Sequence, residues 1–395
     1  MITFDGILGC RLFFKMRLMK IKGVFLSSLI MLLLVGCVPN TAIIQENYYE
    51  ALGDITVGQA VTVESVSYDK YAYSHLDAQT QQVYDQILKC IMSFDEKVKV
   101  STLDPVVIDK AYYCITYDYP NIFWIEGYQY NTYYSNDTVV SIEVLPKYTM
   151  SLDEKNAYQL KIDSVVRSWL EGIDENASDY EKAEYVFTKL IEEVEYDESV
   201  DNSQNIISAF LEKRTVCHGY TDAASYMLEK LNIPSMMVTG TAKGEPHSWN
   251  LIYLDGAYYY MDVTWGNSQY RNGDNELTKR IRYAYMAMTS EELSSTHYID
   301  MKIDIPECLS NADNYYVKNR RYFDTWDTSS IGQTIGNSYD AGEEYCAIKF
   351  SNPELYQQAI QYYVNDMHVV DWCWGLEKIT YLTEDDVNVL TFKWR

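Results

Sequence analysis

The dipeptide Asp255-Gly256, set between two arms rich in aromatic and branched residues, constrains this chain more than any other feature. A two-residue loop of that composition is the strongest short-range hairpin signal, because both turn residues need positive φ and Asp and Gly accept it most readily. Counting outwards from the turn predicts Leu254 opposite Ala257, Trp249 opposite Asp262 and His247 opposite Thr264. His247, Trp249, Asp262 and Thr264 then share one face, with Asp262 the diagonal neighbour of His247. Diagonal positions are about 7–8 Å apart at the backbone, within reach of a carboxylate and an imidazole. A strand histidine is usually an edge polar group. One with an aligned aspartate has its tautomer fixed and its other nitrogen free to act as a base.

Thirty residues upstream of His247 lies Thr215-Val216-Cys217-His218-Gly219-Tyr220, followed by the helical pattern Ala223, Ala224, Met227, Leu228 and Leu231, which Pro234 ends. Cys217 falls at the first helical turn, where unpaired N–H groups and the helix dipole favour an anion. A thiol there can drop below its free value of about 8.5 and react as thiolate. Gly219 lets the helix start approach a neighbour closely. The bland alternative is a buried structural cysteine. His218 competes with His247 as the base, but its place on the helix start aims it in another direction.

The remaining pattern reads as small α+β modules around this centre. Apolar spacing predicts helices over 80–94, 104–117, 151–170 and 179–194, and a hairpin over 122–150 turning at Ser135-Asn136-Asp137. This divides the chain into a tether with an edge strand (37–70), an N-terminal module (71–150), a chemical core (151–310), a polar irregular connection (311–340) and a C-terminal strand–helix–strand–strand module (341–395). The 38 tyrosines suit half-buried surfaces and clefts, and read as compositional style.

The chain carries 57 acidic against 32 basic residues, a formal charge of −25. Such a balance excludes nucleic acid as a charge-driven partner, because phosphate affinity rests on Lys and Arg. Beyond Cys37 the cysteines are scattered, with no CxxC and no metal spacing, so no zinc site and at most one or two disulfides are expected. No glycine-rich phosphate loop appears, and nothing calls for a metal or a cofactor. The acidic stretches 197–202 and 272–276 read as solvated turns.

At the N-terminus, Lys15, Arg17, Lys20 and Lys22 precede the apolar run Val24–Gly36, the pattern of an export signal and too short to span a bilayer. Met16 or Met19 would begin a signal of ordinary length. The run ends Leu34-Val35-Gly36-Cys37, which resembles the lipobox of bacterial lipoproteins. That resemblance implies a signal peptide over 1–36, acylation of Cys37 and an extracytoplasmic protein anchored to the bacterial cell membrane by lipid. Its removal takes away five basic residues and one acidic one, leaving a charge of −29. A cationic or neutral protein substrate suits that charge better than an anionic polymer.

Cys217-His218-Gly219-Tyr220, His247-Ser248-Trp249-Asn250 and Asp262-Val263-Thr264-Trp265 together resemble the three signatures of the transglutaminase-like superfamily. The similarity extends to Tyr283-Ala284-Tyr285 with Glu291 and His297, to Ile305-Pro306-Glu307-Cys308, and upstream to Gln204-Asn205 and 119–124. It implies an α+β, papain-like fold with the nucleophile helix packed on an antiparallel sheet. It further implies Cys217 as nucleophile, His247 as base and Asp262 as orienting acid in acyl transfer on protein or peptide amides: crosslinking, deamidation or proteolysis. Gln204, Trp249 and Trp265 would line the cleft, with Gln204 or the Trp249 indole aiding the oxyanion. The calcium sites of animal transglutaminases have no matching loop here. The flanking modules would recognise a partner or a cell-wall component. A non-catalytic binding or scaffold lipoprotein with the same fold is the alternative, and loss of a triad residue would favour it.

Overall fold

A computed structural model describes residues 43–44, 70–267 and 280–394. The export signal, Cys37 and the acidic stretch 272–276 lie outside the described residues. The chain divides into two units. One comprises Leu76–Ile115 and Ile122–Ala157 together with the strand Ile43–Ile44; the other holds residues 70–75, Thr116–Asn121 and the chain from Tyr158 onward.

In the first unit the helix Ala78–Ser93 starts where Asp77 accepts from the Thr80 N–H, and buries Val83, Tyr84, Ile87 and Ile91. It stops at Phe94, whose φ of 56° takes the chain out of the helix. The strands Ile125–Ser135 and Thr138–Tyr148 form the expected hairpin. Asn136 and Asp137 both have positive φ, which matches the turn to the strands' twist. Ile43–Ile44 and Val98–Val100 flank the hairpin in a four-stranded sheet.

The second unit is built on an antiparallel sheet in the order His297–Ile299, Ser235–Ala242, Glu245–Leu254, Ala257–Met261. The helix Asp179–Glu193 begins with a capping box between Ser178 and Glu181 and buries Ala183, Val186, Phe187 and Leu190. The helix Cys217–Lys230 lies on the strand Glu245–Leu254. Buried Asn250 ties them together, its Nδ2 donating to the Thr221 carbonyl at 3.0 Å and to Ser225 Oγ at 2.8 Å. No helix of the described residues is long and apolar enough to cross a membrane.

Around Asp255-Gly256 the register runs as counted, from Leu254↔Ala257 to Asn250↔Met261. There it departs from expectation. Trp249 does not pair with Asp262, nor His247 with Thr264. Asp262 leaves the ladder and caps the short helix Val263–Gly266, its carboxylate accepting from the Trp265 N–H. A side-chain acceptor at that position satisfies a donor that the strand would otherwise have taken.

The stretch read as irregular contains the helix Thr328–Asp340, capped by Asp327 and buried through Ile331 and Ile335. It packs in an aromatic core with Tyr356, Tyr363, Phe350 and Phe392. The last sheet orders Tyr322–Phe323, Tyr345–Phe350, Val389–Trp394 and Ile379–Glu384, so its first strand also comes from that stretch. Cys90, Cys114, Cys217, Cys308, Cys346 and Cys373 are all free thiols.

Candidate functional site

Cys217 opens its helix directly after the two-residue strand Arg214–Thr215, which pairs in parallel with Glu195–Tyr196. The turn before it is pinned by local bonds. Thr215 Oγ1 donates to the Ser203 carbonyl at 2.9 Å, and the Val216 N–H reaches the same oxygen at 3.3 Å. Gly219 is needed for this close fit, since a Cβ there would lie 1.9 Å from Thr215 Oγ1. Of the six described cysteines, Cys217 alone is not fully buried.

The imidazole of His247 and the backbone N–H of Ser248 both act on the Cys217 thiol and favour its charged form. His247 Nε2 sits 2.8 Å from Asp262 Oδ2, which leaves Nδ1 as the nitrogen facing the thiol. Burial works against charge on all three groups, and the contacts overcome it. Burial raises the thiol, but the bond and charge of His247 and the Ser248 N–H bring it below its ordinary range. Burial lowers His247, yet Asp262 and Cys217 hold it well above a normal imidazole. Asp262 is buried too, and His247 and His297 keep it well below the usual carboxylate range. The combined shifts favour a thiolate–imidazolium pair backed by a carboxylate.

Asp262 has a further partner that the hairpin pattern does not foretell. His297 Nε2 lies 3.1 Å from the same Oδ2, and its Nδ1 is 2.7 Å from Thr296 Oγ1. His247, Asp262 and His297 together have the donor set of a metal centre. The contacts of 2.8 and 3.1 Å are direct hydrogen-bond lengths, however. Ligand atoms about 2.0–2.1 Å from a tetrahedral zinc would stand farther apart, roughly 3.3 Å. The three therefore fit a hydrogen-bonded network better than a metal cage. The sequence marks His297 only through the resemblance around Tyr283-Ala284-Tyr285 and Glu291, and no spacing ties it to Asp262.

Trp249 is fully buried, its ring 5.9 Å from that of His247 and 4.9 Å from that of His297. Trp265 is buried on the same imidazoles at 6.1 and 4.8 Å. Both indoles form walls that hold the rings in place. Gln204 is half-buried. It follows Ser203, whose carbonyl receives the Thr215 and Val216 bonds, so the fold sets it beside the segment leading to Cys217.

His218 turns elsewhere, its Nε2 3.7 Å from Asp222 Oδ2 one helical turn on. Burial pushes His218 down to about 4 and Asp222 well above a normal carboxylate, with the Cys217 charge adding to the latter. At neutral pH both shifts favour the uncharged forms, so the contact is not an ion pair. Asp222 Oδ1 has no hydrogen-bond partner among the described residues. Because the folded value of Asp222 stands above its unfolded one, its stabilising contribution is complete below about pH 4 and lost as pH rises. The variant Asp222→Asn is accordingly expected to gain stability relative to the natural protein between pH 4 and pH 8. Thermal unfolding of both at the two pH values checks this; a gap that does not widen would show Asp222 to be charged.

Residues 167–263 match the model of the transglutaminase-like superfamily. No curated protein matches the chain. Among solved structures, a TGase is similar at 12% identity and a TM-score of 0.26, over 40% of this chain and 53% of its own. This chain thus spans about half the length of that TGase. A proposed cysteine protease from Cytophaga hutchinsonii shows 16% identity and a TM-score of 0.24, covering 45% of this chain and 72% of its own. A proposed protease from Parabacteroides distasonis shows 8% and 0.22, covering 35% and 41%. The stretch that carries Cys217, His247 and Asp262 is thus the part of this chain that matches the transglutaminase-like superfamily model.

Proposed function

We propose that the chain is a cysteine-dependent acyltransferase or peptidase acting on protein or peptide amides. The observation that carries this reading is the His247 imidazole, held by Asp262 through Nε2 at 2.8 Å and lowering the Cys217 thiol. In this reading the arrangement is papain-like. Cys217 Sγ attacks the amide carbonyl carbon, and His247 gives its proton to the departing nitrogen as the C–N bond breaks. Ammonia or a peptide amine leaves, and a thioester remains. An amine or water then attacks the thioester carbon, His247 takes the proton of the attacking group, and the C–S bond breaks to restore the thiolate–imidazolium pair. The Cys217 N–H, in the first helical turn, and the Gln204 side chain supply oxyanion donors. The same proposal places the protein outside the cytoplasm, anchored through acylated Cys37, with its substrate a protein or peptide that includes cell-wall-associated ones.

Alkylation of Cys217 by iodoacetamide between pH 5 and 9, followed by intact mass on a chain lacking residues 1–37, tests the reading. Rapid labelling below pH 7 that is slowed in His247→Ala is expected, because a lowered thiol is already thiolate there. Labelling no faster than that of an ordinary thiol would sink the catalytic reading and leave the scaffold alternative.

A further inference from the structure

Asp262 is shared between two imidazoles, and the second belongs to a strand outside the stretch that matches the superfamily. The strand His297–Ile299 sits at the sheet edge, paired antiparallel with Ser235–Ala242 so that His297 faces Ala242. Its position is fixed closely. The Lys243 N–H donates to the Thr296 carbonyl at 2.8 Å, and a Cβ on Gly240 would lie 2.0 Å from the Tyr298 carbonyl oxygen. The His297 side chain has no exposure at all. Trp249, Trp265 and Tyr285 pack around its ring.

This enclosure gives each ring nitrogen of His297 a hydrogen-bond partner. An ionised carboxylate can only accept, so the ring carries a proton on Nε2 and donates it to Asp262 Oδ2, while Nδ1 is paired with the Thr296 hydroxyl. The carboxylate then accepts from His247, from His297 and, at Oδ1, from the Trp265 N–H at 3.0 Å. Three donors converge on one buried carboxylate, and only one of them, His247, faces the thiol.

We propose that His297 is a positioning residue of the acyl-transfer site, its Nε2–H fixing the Asp262 carboxylate against His247 and so governing the proton balance between His247 and Cys217. The proposal rests on the reading of Cys217 as nucleophile. His297 touches no reacting atom. Through Asp262 it adds a donor that favours the ionised carboxylate, and an ionised carboxylate is what keeps His247 protonated beside the thiolate.

The test follows Cys217 alkylation from pH 5 to 9 in the natural protein, in His297→Leu and in His297→Gln, with thermal unfolding of each. Leucine removes the donor at similar volume, whereas glutamine can place an amide N–H near the lost Nε2. In His297→Leu the alkylation midpoint is expected to move to higher pH, with the rate at pH 6 falling about tenfold, the worth of one hydrogen bond to a charged group. His297→Gln should recover most of it. A purely structural role would lower the stability of both variants and leave the midpoint in place. An unmoved midpoint in folded His297→Leu overturns the role of His297 while the Cys217–His247 reading stands. A natural protein without a low-pH limb overturns that reading itself. Should His297→Leu not fold, Thr296→Val keeps the imidazole but frees its tautomer; an upward shift of about threefold at pH 6 supports the proposal and no shift overturns it.

Discussion

Asp262→Asn is expected to slow Cys217 alkylation at pH 6 by two to three orders of magnitude. Without the carboxylate, the largest influence holding His247 charged is gone, and burial drives it towards its neutral form. The half-buried thiol then loses its counter-ion as well as its charged hydrogen bond. A thiol returned to an ordinary value of about 8.5 is only ~0.3% thiolate at pH 6. Amide turnover should fall further, by roughly ten thousandfold, since asparagine can hold His247 in the wrong tautomer. Stability carries a matching signature. The lowered Asp262 contributes above its unfolded value near 3.9, and the contribution is lost as acid titrates it. The raised His247 contributes fully below about 6.5 and loses that contribution as pH rises through about 10. The stability gap between natural protein and variant is therefore largest between about pH 4 and 6.5. Alkylation rates within tenfold of each other at pH 6 would show that Asp262 does not support the pair.

The second large effect concerns Glu384, far along the chain. It ends the strand Ile379–Glu384 and takes ion pairs from both Arg280 and Arg282, with side chains only 6–8% exposed. Arg282 also donates to the Trp265 carbonyl at 3.1 Å, so the C-terminal sheet is tied to the turn that Asp262 caps. Buried Lys349 makes a parallel tie to Glu292 at 3.0 Å. Glu384→Ala leaves two buried guanidinium groups without their carboxylate, which typically costs about 3–5 kcal/mol. For a unit of this size the melting temperature should fall by roughly 10 °C. A triple variant with Arg280→Leu, Arg282→Met and Glu384→Leu should lose much less, because no stranded charge remains. Burial opposes the charge on Glu384, but the two arginines hold it below the ordinary carboxylate range. Its contribution is thus present above about pH 4.3 and lost as pH falls, so the gap from Glu384→Ala should close in acid. A variant as stable as the natural protein at pH 7 would rule out the tie.

Local rules went far in this chain. Asp255-Gly256 placed the hairpin and its register as far as Asn250↔Met261. The thiol at the head of an apolar helical pattern marked the start of Cys217–Lys230. What stayed hidden was decided by tertiary partners. The strand after the turn stops at Met261 because the Asp262 side chain finds the Trp265 N–H, and no periodicity announces that competition. The helix Thr328–Asp340 shows little apolar spacing beyond Ile331 and Ile335, and its two glycines weaken the helical signal; in the fold Gly332 and Gly336 lie against Trp372. His297 is a lone histidine 35 residues past the aspartate it meets, and Glu384 is 102 past Arg282. Contacts that distant leave no local trace.

The contrast among the thiols has a consequence for oxidation. Burial pushes Cys90, Cys308, Cys346 and Cys373 up to about 11 or 12, while Cys217 is held below its usual range. Peroxide attacks thiolates, so Cys217 is the position that becomes sulfenic acid first. Resolving a sulfenic acid into a disulfide needs a second thiolate, and these four buried thiols are held protonated. With none of these four poised to resolve it, rescue falls to another thiolate, such as a small thiol supplied from solution. Where none reaches Cys217, continued oxidation carries it to the sulfinic state and ends its chemistry.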